Sequence, residues 1–189
     1  MSADLLERSL GVAGGVLANV KPEQLDDPTP CQSWKVRDLI NHVVGGTFFF
    51  STVAETGAGP ADGGGDQPDF ASTDFNATFN EGAKRAVTAF RAPDAMEKTM
   101  KLPFGEFPGS AFVMIATTDA FTHAWDLARA TGQSTDLDPE LADQLLTNSR
   151  GFISDGFRGP EPMPFAAAVE VPDSEPKADQ LAGFLGRKV

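Results

Sequence analysis

One cysteine, two histidines and no tyrosine stand among the 189 residues. The single Cys31 excludes an internal disulfide and any zinc or iron–sulfur site built on a cysteine cluster. A metal site or proton shuttle that needs imidazole has only His42 and His123 to use. Tyrosine catalysis is excluded outright. No apolar run reaches the roughly 18 residues of a membrane span. The opening MSADLLERSLGVAGG carries Asp4 and Glu7 and no basic n-region, so it does not read as a signal peptide. Together these absences point to the cytoplasm. Basic side chains are scarce as well, 15 against 27 acidic, for a net charge of −12. Phosphate backbones and anionic membranes repel so acidic a chain, and it contains no basic stripe. Nucleic acid and membrane are therefore not expected as partners.

What is present is a globular composition, 41% hydrophobic and 22% charged, in a length of about one domain. The whole of 1–189 is expected to be that domain. Leu6, Leu10, Ala13, Leu17 and Val20 recur at helical spacing and predict a helix over 3–20. DDPTP makes 21–33 a connection. Ser33 reads as an N-cap to a second helix over 34–55, with Val36, Leu39, Ile40, Val43, Val44 and Phe48 on one face. Residues 57–72, rich in glycine and proline, read as a mobile loop, either a solvated linker or a functional segment. A third helix is expected over 74–91, ended by Pro93. Met100, Leu102 and Phe104 alternate around proline and glycine, so 97–109 reads as a hairpin-like excursion. A fourth helix over 110–131 closes at Gly132, and a fifth over 138–150 opens on Asp138-Pro139. The tail from 158 to 189 is irregular, with a short last helix over 177–186. The fold class is all-α: a four-helix bundle with a long crossover loop, a short extended excursion and a C-terminal tail.

Chemistry concentrates on two helices. Asp119 and His123 lie four residues apart beside the apolar stripe of the fourth helix, one turn apart on a common face. A carboxylate and an imidazole so placed can close on one metal ion; they can equally form a plain Asp–His hydrogen bond inside a bundle. His42 falls near the apolar face of the second helix, with Gly45 and Gly46 one turn on. Two glycines in a helix interior leave room either for a ligand or for a close helix–helix approach. Two imidazoles and one carboxylate would leave an open position on zinc, nickel or ferrous iron, which is the catalytic arrangement. Around them, Asp126 and Asp38 read either as hydrogen-bond partners of the histidines or as members of ion pairs, Asp126 with Arg129 or Arg37. Trp34 and Trp125 read as core anchors, and Cys31 as a small buried hydrophobe at the helix entrance.

TPCQSWKVRDLINHVVGG (29–46), LPFGEFPG (102–109), THAWDLARATG (122–132) and the closing FLGR (184–187) together resemble a DinB-like, actinobacterial metal-binding family related to the N-terminal domain of mycothiol-dependent maleylpyruvate isomerase. The resemblance implies a four-helix bundle holding a divalent metal, usually zinc, through one histidine of the second helix and an acid-x-x-x-His pair of a later one. Carried over, those ligands are His42, Asp119 and His123. The isomerase's metal acid is a glutamate where this chain has Asp119, one methylene shorter, and 189 residues look too short for the isomerase's C-terminal domain. The resemblance favours a metal-dependent enzyme that activates a small thiol such as mycothiol for transfer or isomerisation. A non-catalytic metal- or ligand-binding bundle and a metal-free structural or partner-binding protein are the alternatives.

Overall fold

The computed structural model describes residues 2–31, 33–60, 68–103, 105–160, 163 and 165–189. Its elements run α1 (Ala3–Leu17), α2 (Val36–Thr56), α3 (Phe75–Phe90), β1 (Thr99–Leu102), β2 (Gly105–Pro108), α4 (Gly109–Ala130), α5 (Pro139–Phe152) and α6 (Lys177–Phe184).

Helix α4 organises the rest, and its sequence explains why. From Phe121 to Ala128 every residue is buried, the polar Thr122, His123 and Asp126 included, so this stretch runs through the interior with apolar neighbours on two sides. One side, with Phe112, Val113, Ala116, Ala120, Ala124 and Leu127, joins the core built with α1, α2 and α3. The opposite side, Phe121 and Trp125, packs with Leu141 and Leu145 of α5 and Leu181 and Leu185 at the end of α6. Trp125 anchors that second core as expected, and its Nε1–H donates to buried Asp179 at 2.6 Å, which ties α6 to α4. Ser9 of α1 donates to the Thr117 carbonyl at 2.8 Å, which sets the α1–α4 contact. At the α2–α3 crossing the backbones meet closely: a Cβ on Gly82 would lie 1.9 Å from Thr47 Oγ1. No side chain fits at 82, so the glycine is a packing requirement.

The expected helices are all present, with shifted ends. Helix α2 begins after Lys35, not after Ser33, because Asp38 at N3 accepts the Lys35 N–H at 2.9 Å. That bond also gives Asp38 a role that neither sequence reading supplied: it caps the helix. Asp138 is the N-cap of α5, as its Asp-Pro signature says, and Gly132, at φ 70°, closes α4. The excursion is a two-stranded antiparallel hairpin pairing Thr99 with Pro108 and Leu102 with Gly105; Phe104 lies outside the described residues.

The centre of the glycine-rich loop, 61–67, also lies outside the described residues. Its flanks are held. Gly59 N–H donates to Lys101 O at 2.8 Å and Lys101 N–H to Gly57 O at 2.9 Å, so 57–59 runs parallel beside β1. Ala71, buried, donates its N–H to Asn41 Oδ1 at 2.8 Å, and Phe70 stacks on Phe48. Backbone pairing with β1 thus holds 57–59, and the Asn41 side chain and the Phe48 ring hold 70–71. Among the described residues no helix is long and apolar enough to cross a membrane.

Helix α3 supplies a local test. Asp74 accepts the Ala77 N–H at 3.0 Å as N-cap. Asp74→Ala is expected to destabilise by about 1 kcal/mol, lowering Tm by about 2–4 °C in a chain of this size. Differential scanning calorimetry of the two proteins measures it.

Candidate metal centre

The site lies where α2 and α4 face each other. Val36, Leu39, Ile40, Val43 and Val44 bury one side of α2 and leave His42, at its edge, half-buried. On α4, Asp119 is half-buried and His123 buried. The i, i+4 spacing brings Asp119 Oδ1 to 3.5 Å from His123 Nε2, and the helix packing brings it to 3.6 Å from His42 Nε2. The imidazole centroids are 4.7 Å apart, edge to face. One ligand atom from each of the three residues lies within 4.8 Å of the other two. So the three residues singled out from the sequence do come together, around one carboxylate oxygen.

Those separations are informative. They are long for N–H···O bonds, which cluster near 2.9 Å. They match the roughly 3.3–3.6 Å between two ligands that each stand about 2.0–2.2 Å from one tetrahedral ion. His42 Nε2 is buried and has no hydrogen-bond partner among the described residues, an expensive state for a polar atom in a packed site. The donor set therefore fits a divalent cation.

The second layer is more elaborate than its sequence reading. Asp126, fully buried, meets His123 Nδ1 at 3.0 Å. Accepting that N–H directs Nε2 toward Asp119 and His42, the arrangement common around ligand histidines. The expected ion-pair partners of Asp126 were Arg129 and Arg37; the actual one is Arg187, which follows α6 and places Nη2 3.0 Å and Nε 3.3 Å from the carboxylate. Cys31 donates its thiol to Asp126 Oδ2 at 3.3 Å and lies 4.0 Å from His123 Nδ1. It packs against the core, as its sequence reading held, but also borders the site. Trp34 packs half-buried against the core, as its sequence reading expects, and its ring also borders the site, 4.7 Å from His42 and 5.9 Å from His123. Thr29 positions both: its hydroxyl donates to the Trp34 carbonyl at 2.8 Å and accepts the Cys31 N–H at 3.2 Å, folding the TPC turn against α2.

Electrostatics follow the geometry. Burial alone would push the Asp119 carboxyl up, but the His123 charge, with help from His42, outweighs it and holds Asp119 well below the usual carboxylate range. Burial would lower His123, and Asp119 and Asp126 outweigh that too, raising it well above an ordinary histidine. For Asp126, the His123 hydrogen bond and the Arg187 charge likewise overcome burial and hold it low. Cys31, His123 and Asp126 form a second group with ligand-like spacing. The Arg187 guanidinium already neutralises Asp126 there, and a second cation beside it would be repelled, so this group serves as support for the first.

Over residues 8–128 the sequence matches the family described as mycothiol maleylpyruvate isomerase N-terminal domain. The chain belongs to that family. The matched span contains Cys31, His42, Asp119, His123 and Asp126 but ends before Arg187. Two uncharacterized proteins of Mycobacterium tuberculosis, one from each of two strains, are 46% identical to this member over 183 residues, covering 97% of it and 96% of themselves. Two crystal structures share the fold. One is mycothiol-dependent maleylpyruvate isomerase, with TM-score 0.55 and 17% identity; the other is a histidine-to-alanine mutant of that enzyme, with TM-score 0.57 and 18% identity. Each alignment covers 76% of this chain and 65% of the isomerase chain, so this protein spans just under two thirds of the isomerase's length.

Proposed function

We propose that this family member is a divalent-metal protein that activates a small thiol of the mycothiol kind for transfer or isomerisation. It acts as one four-helix-bundle domain spanning 1–189, in the cytoplasm, without nucleic acid or membrane. His42, Asp119 and His123 hold the metal; an N,N,O donor set suits zinc first, with nickel or iron as alternatives. The observation that carries the reading is the pair of imidazole Nε2 atoms at 3.6 and 3.5 Å from one Asp119 oxygen, with the buried His42 Nε2 otherwise unpaired. Membership of a family built on a mycothiol-dependent isomerase domain supports the thiol.

A divalent ion held by three protein ligands supplies an open position that favours thiolate over thiol. The chain's own residues do the rest. Asp126 fixes the His123 ring by accepting at Nδ1, and Arg187 neutralises Asp126, so the buried carboxylate remains ionised. Trp34 packs its ring beside the two imidazoles and limits their rotation. Cys31 is committed to Asp126 and is not the reacting thiol.

Elemental analysis of natively purified protein is expected to give about one equivalent of divalent metal per chain, and less than a tenth would overturn the reading. Calorimetric titration then separates thiol use from plain metal binding. A neutral small thiol is expected to bind the metal-loaded protein and not the chelator-treated one; equal heats from both would leave a non-catalytic metal bundle.

A further inference from the structure

An open cavity of about 510 Å³ lies where the turn before α2, the end of α4 and the segment after α6 meet, lined by Asp27, Thr29, Arg129, Ala130, Gly186 and Lys188 among others. None of His42, Asp119 and His123 lines it. Its size suits a small molecule, and backbone bonds set its walls. Asp27 O accepts the Val36 N–H at 3.0 Å, Thr29 N–H donates to Trp34 O at 3.2 Å, and Arg187 N–H donates to Ala182 O at 2.9 Å. What the cavity presents is charge without a partner. Arg8, Arg85 and Arg91 all pair with carboxylates on the surface. Arg129 and Lys188, in a chain with 27 acids, make no hydrogen bond or ion pair among the described residues. The neighbouring acids are committed elsewhere: Asp126 to Arg187 at 3.0 Å, and Asp26 to Lys35 at 3.2 Å and Arg37 at 3.8 Å. The acid that lines the cavity itself is Asp27, half-buried and also unpaired. At the negative end of α4, the Leu127 and Ala128 carbonyls are taken by the Thr131 and Gln133 N–H groups.

We propose that this cavity binds a small polyhydroxy acid or sugar phosphate, its oxyanion taken by Arg129 and Lys188 and a hydroxyl donating to Asp27. A guanidinium fork matches carboxylate and phosphate oxygens, and the lysine adds a second positive charge. Two cations against one carboxylate leave a net attraction for an anion. Asp27 then selects among anions: a bare one meets its repulsion with nothing in return, whereas a ligand with its own hydroxyl turns the carboxylate into an acceptor. Arg129 and Lys188 both follow the matched family span, which ends at residue 128. The site needs no metal and stands apart from the function proposed above.

The probes are glycerate and glycerol 3-phosphate, which carry both features, with propionate lacking the hydroxyls and glycerol lacking the anion. Binding is read by ligand-observed NMR on the full chain. The tighter of the first two identifies the oxyanion as carboxylate or phosphate, and is expected to bind at least about five-fold more tightly than either control. Arg129→Gln and Lys188→Gln should each weaken it by about ten-fold or more, the loss of one charge-assisted hydrogen bond. Both side chains are exposed and unpaired, so both variants should melt with the parent. His42→Ala, with folding checked by circular dichroism, should bind the probe as the parent does; this separates the cavity from an anion seated on a metal. A chain that proves metal-free leaves these expectations unchanged. No binding of either probe, a control that binds as tightly, unchanged binding in a folded Arg129→Gln or Lys188→Gln protein, or loss of binding in folded His42→Ala would each overturn the site.

Discussion

His123→Ala should strip the metal while leaving helix α4 standing. Position 123 is mid-helix and alanine is the best helix former, so the backbone loses nothing there. The ion would keep only His42 and Asp119. Changes to residues that merely orient ligands cost about 10–100-fold in metal affinity, and losing a ligand should exceed that. Folding stability should also fall, by about 1–3 kcal/mol, because buried Asp126 loses a 3.0 Å partner and keeps Arg187. His42→Ala is the sharper companion. His42 belongs only to the group with Asp119, whereas Cys31 belongs only to the group with Asp126. Metal stoichiometry after dialysis, with circular dichroism as the folding control, should show metal lost from both histidine variants and kept in Cys31→Ala. A Cys31→Ala protein that loses metal while His42→Ala retains it would move the ion to the Nδ1 side of His123 and refute the site described here.

The contrast between what the residues announced and what they hid has a physical pattern. Helices α1 to α5 were legible because each buries a stripe that recurs at helical spacing. The convergence of His42, Asp119 and His123 was legible for a different reason: a chain with two histidines leaves few ways to build an imidazole site, and both fell on inward-tending faces. What escaped was set by partners distant in sequence. Arg187 reaches Asp126 across 61 positions, and nothing local to either residue indicates the pair, so nearer arginines drew attention. Trp34 does pack against the core, as its size and apolarity announce; that its ring also meets the imidazoles follows from the turn pinned by Thr29, which nothing local to Trp34 indicates. The start of α2 was a local error with a readable remedy. Ser33 is a good cap by type, but Asp38 sits at N3 of a helix beginning at Val36, where an acid satisfies a backbone N–H and favours the positive helix end. The fastening of the loop's first flank was unreadable in principle, since Gly57 and Gly59 pair through backbone groups that every residue has.

Arg187→Ala should produce the larger loss of stability, although the residue is third from the end of the 189-residue sequence and outside the matched family span. Its guanidinium makes two hydrogen bonds to the Asp126 carboxylate and one to the Leu185 carbonyl. Asp126 has no exposed surface, and the Arg187 side chain is 15% exposed. Removing one member of such a buried pair strands the other's charge and costs about 3–5 kcal/mol, or about 6–20 °C in Tm for a protein of this size. The double variant Asp126→Asn with Arg187→Ala should recover part of that loss, because a neutral amide still accepts from His123 Nδ1 without needing a cation. The pH dependence has a definite sign. Asp126 is held below its ordinary value in the folded state, so its stabilising contribution is present above the usual carboxylate pKa and is lost as pH falls through the folded value. The gap between parent and Arg187→Ala should therefore be widest near neutral pH and narrow below about pH 4. Thermal melts of the three proteins at pH 7 and at mild acid measure both effects. An Arg187→Ala protein that melts within about 2 °C of its parent at neutral pH would show that the C-terminal arginine is a passive lid over Asp126 and does not hold the charge that orients His123.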